Sequence, residues 1–216
     1  MNVIFDMDGV IFDSERAYIS AYQKLAPKYG LNDAEVVHRA CMDSIGVNRQ
    51  KTKEIFFSYV GHEFDYLAYR EDVQVELNKS PFELKPGVYE LFDWLKEKEA
   101  YIALASSTRQ VSVTKMLDNA DLTKYFKAIV CGDMVSHSKP HPEIFLTAAE
   151  RLGAEPKDCY VIEDSYNGIR AAHAAGMHPI MVPDILQPDK EIRRLSEVVL
   201  PSLFEVKEYL EGKLTE

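Results

Sequence analysis

The chain has 216 residues, 46% of them hydrophobic and 28% charged, and carries a formal net charge of -10. That length and balance suit one globular unit, or one with an insertion. The negative charge argues against nucleic acid or an anionic membrane as the main partner, although lysines and a cation in a cleft still allow a small phosphorylated ligand.

In chain order, Val3-Ile4-Phe5 is an apolar, β-prone run that predicts a short buried strand. Asp6, Asp8 and Gly9 follow at once, and a period-two strand can turn both carboxylates to one side of its C-terminal end. The next residues are helical throughout. Helices are expected from Glu15 to Pro27, from an Asn32/Glu35 capping pair to Cys41-Met42, from Arg49 to Tyr59 and from Phe64 to Asn78, with Gly30, Gly46 and Gly61 between them. Ser80-Pro81 and Lys85-Pro86-Gly87 punctuate the chain, and the rhythm then changes. Helices over Val88–Lys98, Val111–Leu117, Pro142–Leu152 and Ile169–Ala175 alternate with strands at Tyr101–Ala105, Ala128–Cys131, Tyr160–Ile162 and Pro179–Val182. The tail reads as a short helix from Asp189, a strand at Val198–Leu200 and a last helix from Leu203.

Strands alternating with helices imply a parallel sheet covered on both faces. The expected fold is therefore α/β, with a Rossmann-like parallel-sheet core (residues 1–14 and 82–216) and an inserted all-helical cap (residues 15–81). Cys41, Cys131 and Cys159 are scattered and outside any CxxC pattern, which suits reduced thiols in a cytoplasmic setting. Neither a signal peptide nor a membrane span is expected.

Four strand endings suit one task. The first supplies Asp6 and Asp8. The second supplies Ser106 and Ser107, with hydroxyls and N–H groups expected at a helix N-terminus, a seat for phosphate. Beyond the third comes Lys139, and the fourth supplies Glu163 and Asp164. Singly, each has a plain structural reading: a helix cap, a surface lysine, an acidic turn. A parallel sheet brings all four endings to one edge. Carboxylates, hydroxyls and a lysine there favour Mg²⁺, which prefers carboxylate and phosphate oxygens. Asp6 is then the candidate nucleophile, forming an aspartyl-phosphate. Asp8 is the candidate general acid and then base, and Ser106 and Lys139 meet the phosphoryl charge.

Asp6-x-Asp8-Gly9, Ser106, Lys139 within Ser138-Lys139-Pro140-His141-Pro142, and Glu163-Asp164-Ser165-Tyr166-Asn167-Gly168 together resemble the four ordered motifs of the haloacid dehalogenase (HAD) superfamily, in the branch with a helical cap after the first strand. The resemblance implies a phosphohydrolase with Asp6 as nucleophile and Asp8 as acid/base. It implies a metal held by the Asp6 carboxylate, the Asp8 backbone carbonyl and Asp164, with Glu163 nearby. Gly46-Val47-Asn48-Arg49 resembles the cap loop of β-phosphoglucomutases and sugar-phosphate phosphatases, where the arginine grips a distal anion; a solvent-facing arginine is the alternative. The mutases also carry a histidine in the first cap helix, where this chain has Tyr18, which favours hydrolysis over phosphotransfer. The six histidines form no cluster with ligand spacing, so no zinc site is expected; His137 and His141 flank the lysine loop and read as loop surface, with contact to substrate the alternative.

The expectation is a Mg²⁺-dependent phosphatase for a small phosphorylated metabolite, a sugar phosphate, acting as a monomer whose cap opens and closes. A β-phosphoglucomutase-like transferase is the enzyme alternative, and a phosphorylatable signalling or metabolite-binding domain the non-enzyme one.

Overall fold

The computed structural model describes residues 1–214. Six strands form one sheet: β1 (Asn2–Phe5), β2 (Tyr101–Ser106), β3 (Ala128–Cys131), β4 (Cys159–Glu163), β5 (His178–Met181) and β6 (Val198–Val199). Their spatial order is β3-β2-β1-β4-β5-β6 and every pairing is parallel. This is the α/β, Rossmann-like sheet expected from the alternation.

The period-two alternation decides what each face buries. Val3 and Phe5 point into a core shared with Leu91, Phe92 and Leu95 of α5 (Val88–Glu97), Val113 and Leu117 of α6 (Gln110–Asn119) and Val206 and Leu210 of α10 (Leu203–Lys213). Ile4 points to the opposite face, against Phe145 and Ala148 of α7 (Glu143–Leu152) and Ala171 and Ala172 of α8 (Tyr166–Ala174). A smaller helix, α9 (Lys190–Leu195), closes the β5 side through Ile192. Burying both faces makes β1 almost wholly apolar up to Asp6. The chain runs from β1 out to β2 and β3 on one side and then crosses back to β4 on the other, so a crevice opens beyond the C-terminal end of β1, where open α/β sheets bind ligands.

Between β1 and α5 lie four helices: α1 (Ser14–Leu25), α2 (Ala34–Met42), α3 (Arg49–Val60) and α4 (Tyr66–Leu77). They surround an aromatic cluster of their own, built on Tyr22, Phe56, Tyr66 and Tyr69 with Val37 and Val73. The two crossings between this bundle and the sheet are tied at one buried carboxylate. Asp184, just past β5, accepts Lys85 of the returning segment at 2.7 Å and also pairs with Arg16 in the first turn of α1.

Three local expectations need correction. The α2 cap is Asp33, whose side chain accepts the N–H groups of Glu35 and Val36; Asn32 lies one residue too early to reach them. Pro142 precedes α7 rather than standing in its first turn. The helix after β2 starts at Gln110, so Ser106, the last residue of β2, and Ser107, in the bend after it, lie ahead of its N-terminus rather than at it. Among the described residues no helix is long and apolar enough to cross a membrane.

Candidate active site

The ends of β1, β2 and β4 and the loop before α7 meet over the crevice. Asp6 sits one residue past β1, its N–H bonded to Ile162 O of β4 at 3.0 Å, which fixes the backbone from which its carboxylate projects. Lys139 is 3% exposed and reaches under it: Nζ donates to Asp6 Oδ1 (2.5 Å), Glu163 Oε1 (2.7 Å) and the Ala105 carbonyl (3.1 Å). Those bonds use all three ammonium donors, so a lone loop lysine becomes an integral part of the site.

Asp6, Glu163 and Asp164 are all buried, and one carboxylate oxygen from each lies within 4.8 Å of the others. Glu163 is further tied by the Ser165 N–H (2.8 Å) and hydroxyl (2.9 Å). Asp164 receives no hydrogen bond from protein among the described residues, so three acidic groups face one lysine. Burial pushes the Asp6 carboxyl up to about 8, with Glu163 and Asp8 adding to it against the pull of Lys139. Burial followed by the charge of Glu163 also holds Asp164 well above the usual carboxylate range. An oxygen-only set with excess negative charge and one free carboxylate fits a hard divalent cation. Gly9 makes the packing possible: its φ is +79°, and a Cβ there would fall inside the Asp164 carboxylate.

The Asp8 carboxylate stands apart from that cluster. Its Oδ1 accepts the Ser14 hydroxyl at 2.6 Å and its Oδ2 the Thr108 hydroxyl at 2.8 Å. Asp6 and Asp8 both line a cavity of about 420 Å³ between the sheet end and the helical bundle. Ser107, Lys139, Asp164 and Arg49 also line it. Ser106 is fully buried and its hydroxyl accepts the Thr108 N–H at 3.0 Å, so it shapes the turn. Glu163 stands behind Lys139 as its second carboxylate partner.

The cavity also recruits Glu15 and Arg70, which the sequence did not mark as site residues, and Tyr18, which it marked only as the residue at the mutase histidine position. Glu15 lines it beside the aspartates, and burial, then the charges of Asp8 and Asp6, raise its carboxyl well above the usual range. Arg70 of α4 faces in from the bundle, with its guanidinium 5.6 Å from the Tyr18 ring and no carboxylate partner among the described residues. Tyr18 lines the wall and stacks on Phe82 at 5.9 Å; burial pushes its hydroxyl up to about 12. Tyr18 and Tyr22 stand one turn apart on α1, and Arg70 and Gln74 one turn apart on α4, but that spacing does not say which face turns inward.

Sheet and crevice together define an α/β fold with a strand-end aspartate and a buried lysine facing one cavity. The chain belongs to the haloacid dehalogenase-like hydrolase family, whose profile matches residues 3–182. It is 38% identical over 181 residues to a phosphorylated carbohydrates phosphatase of Thermotoga maritima, with 82% of each chain covered. It is 34% identical over 217 residues to the beta-phosphoglucomutase of Bacillus subtilis, covering 94% of this chain and 93% of that one. The crystal structure of a beta-phosphoglucomutase from Clostridium difficile superposes with a TM-score of 0.80 at 25% identity, over 98% of this chain and 96% of that one.

Proposed function

We propose that this hydrolase removes phosphate from a small phosphorylated metabolite, a sugar phosphate, through an aspartyl-phosphate on Asp6. The observation that carries the reading is the Asp6 carboxylate, held by Lys139 at the mouth of a 420 Å³ cavity with Asp8 beside it. In the first step an Asp6 oxygen attacks phosphorus and the bond to the leaving oxygen breaks. Asp8 gives its proton to that oxygen, so the alcohol departs neutral. In the second step Asp8 takes a proton from water as the water attacks the same phosphorus, and the carboxylate of Asp6 is released with inorganic phosphate. The Ser14 and Thr108 hydroxyls hold the Asp8 carboxylate in place for both transfers. Lys139 offsets charge on the nucleophile and the transferring group, and Ser107 lines the path of the phosphoryl oxygens.

Asp6 and Asp164, with Glu163 behind them and the Asp8 backbone carbonyl as the family resemblance suggests, would hold Mg²⁺, which supplies charge neutralisation for the phosphoryl oxygens when bound. Residues 15–81 act as a cap that carries Arg49, Arg70 and Tyr18 to the leaving group. The similarity to a carbohydrate phosphatase supports a sugar or polyol as that group.

The test is phosphate release from a panel of sugar phosphates and nucleotides, with and without Mg²⁺, for the wild type and Asp6→Asn. Release that requires both Mg²⁺ and Asp6 is expected, with sugar phosphates ahead of nucleotides. A parallel assay of β-glucose 1-phosphate with a trace of the 1,6-bisphosphate examines the mutase reading, which the resemblance to the Bacillus subtilis enzyme keeps in view. Conversion to glucose 6-phosphate without net phosphate release would replace hydrolysis by transfer and make Tyr18 no obstacle to it.

A further inference from the structure

The loop that delivers Lys139 to the cleft carries a second set of ligand-type side chains. His137 lies two residues before Lys139, His141 two residues after it, and Glu143 opens α7. One donor atom from each of the three lies within 4.8 Å of the other two. The imidazoles lie side by side, 4.5 Å between centroids and 30° between planes.

The group is tied together by its own backbone. Glu143 Oε1 accepts the Ser136 N–H and Oε2 the His137 N–H, both at 2.8 Å, and Oε2 lies 2.8 Å from His137 Nδ1. The Glu143 N–H points back at His141 Nδ1 over 3.3 Å, and the His141 N–H bonds to Ser138 O at 3.0 Å. These bonds hold the three residues in one tight loop. They do not exhaust them: a carboxylate has about four lone-pair sites, and each imidazole has a second ring nitrogen.

We propose that His137, His141 and Glu143 bind a divalent transition-metal ion, Zn²⁺ by donor type, at a site separate from the acidic cluster of Asp6, Glu163 and Asp164. Two imidazoles and one carboxylate suit Zn²⁺ and its neighbours Co²⁺, Ni²⁺ and Cu²⁺, whereas Mg²⁺ seeks oxygen alone. Tetrahedral Zn²⁺ with bonds of about 2.0–2.1 Å needs ligand atoms roughly 3.4 Å apart. Both histidines are exposed, so side-chain rotation closes the remaining gap, with the contact between His137 Nδ1 and Glu143 giving way to the metal. Three protein ligands on an open surface leave the last position to water. Neither histidine lines the cavity, so the site is independent of the chemistry proposed for Asp6.

The experiment titrates untagged full-length protein with Zn²⁺ by calorimetry, and with Co²⁺ by visible absorption, in excess Mg²⁺ that keeps the acidic cluster filled. One equivalent is expected to bind, with the visible bands of nitrogen-ligated Co²⁺. His137→Ala and His141→Ala each weaken binding by at least about tenfold, while Asp164→Asn leaves it unchanged. Circular dichroism melts of the variants confirm that they fold. Absence of Zn²⁺ binding, equal affinity in the histidine variants, or loss of binding in Asp164→Asn alone would each overturn the proposal.

Discussion

Two aspartates two residues apart along the chain are given opposite surroundings. Asp6 shares a lysine with Glu163 and faces Asp164, whereas Asp8 is held by two hydroxyls. That division suits a nucleophile and a proton shuttle. Asp8→Asn is expected to lower kcat by about 10²–10⁴-fold with KM little changed, as removal of a general acid does; steady-state kinetics with the best sugar phosphate decide it. Gly9→Ala tests how closely the turn is built. Its left-handed φ costs roughly 1–2 kcal/mol for any L side chain, and the new Cβ meets the Asp164 carboxylate. The variant should melt lower, and its Mg²⁺-dependent turnover should fall further than the stability loss explains. At this scale the sequence was legible where chemistry sits at strand ends: Asp6, Asp8, Lys139, Glu163 and Asp164 all gather at one edge. Ser14, Thr108, Glu15 and Asp184 were not legible. Their importance comes from what they meet across the chain, and a serine or glutamate at a helix start looks the same whether it caps the helix or touches an aspartate.

At the scale of elements, the parallel strands were readable because each is an apolar run with a polar end, and the bundle because its helices are cut by glycines. What the patterns did not reveal is phase. The inward faces of α1 and α4 are decided by the aromatic cluster of Tyr22, Phe56, Tyr66 and Tyr69, a packing solution rather than a spacing rule. That packing brings Arg70 to the cavity with no carboxylate partner among the described residues, close to the ring of Tyr18. A guanidinium so placed is suited to an anionic or hydroxyl-rich leaving group. Arg70→Met is therefore expected to raise KM by about tenfold to a hundredfold, the worth of a hydrogen bond to a charged group, and to spare a small generic substrate such as p-nitrophenyl phosphate. A proportional loss on both substrates would instead assign Arg70 to holding the bundle together.

For the whole molecule, the buried acidic groups make stability depend on pH in a definite direction. The Asp6 carboxyl rises from 3.8 to about 8 on folding, so the native state binds the proton more tightly than the unfolded chain. Its contribution is complete at low pH and is lost as pH rises through about 8. Asp164 and Glu15 move the same way. Exposed carboxylates with lowered values, such as Glu76 and Glu143, act in the opposite sense, but their gain is complete by about pH 5. Metal-free protein should accordingly lose Tm between pH 5.5 and pH 8. Mg²⁺ held as proposed would bind the deprotonated carboxylates of the native state only, so its addition should raise Tm more at pH 8 than at pH 5.5. Thermal melts in EDTA and in Mg²⁺ at the two values read both effects, and a Tm in EDTA that rises with pH would contradict the assignment.

The position of β1 between β2 and β4 also has a consequence for synthesis. Val3-Ile4-Phe5 emerges from the ribosome long before Cys159–Glu163, its second neighbour in the sheet. At roughly 5–20 residues per second the wait is on the order of 10 to 30 s. Throughout it one edge of an apolar strand lacks β4, even after β2 has emerged to cover the other, while the residues of α1–α4, with a core of their own, are already out. Nascent chains arrested before Cys159 should thus expose Val3–Phe5 to chaperone crosslinking, and the exposure should end once β4 has cleared the tunnel. The proposed nucleophile is made well before β4, the strand that completes its seat.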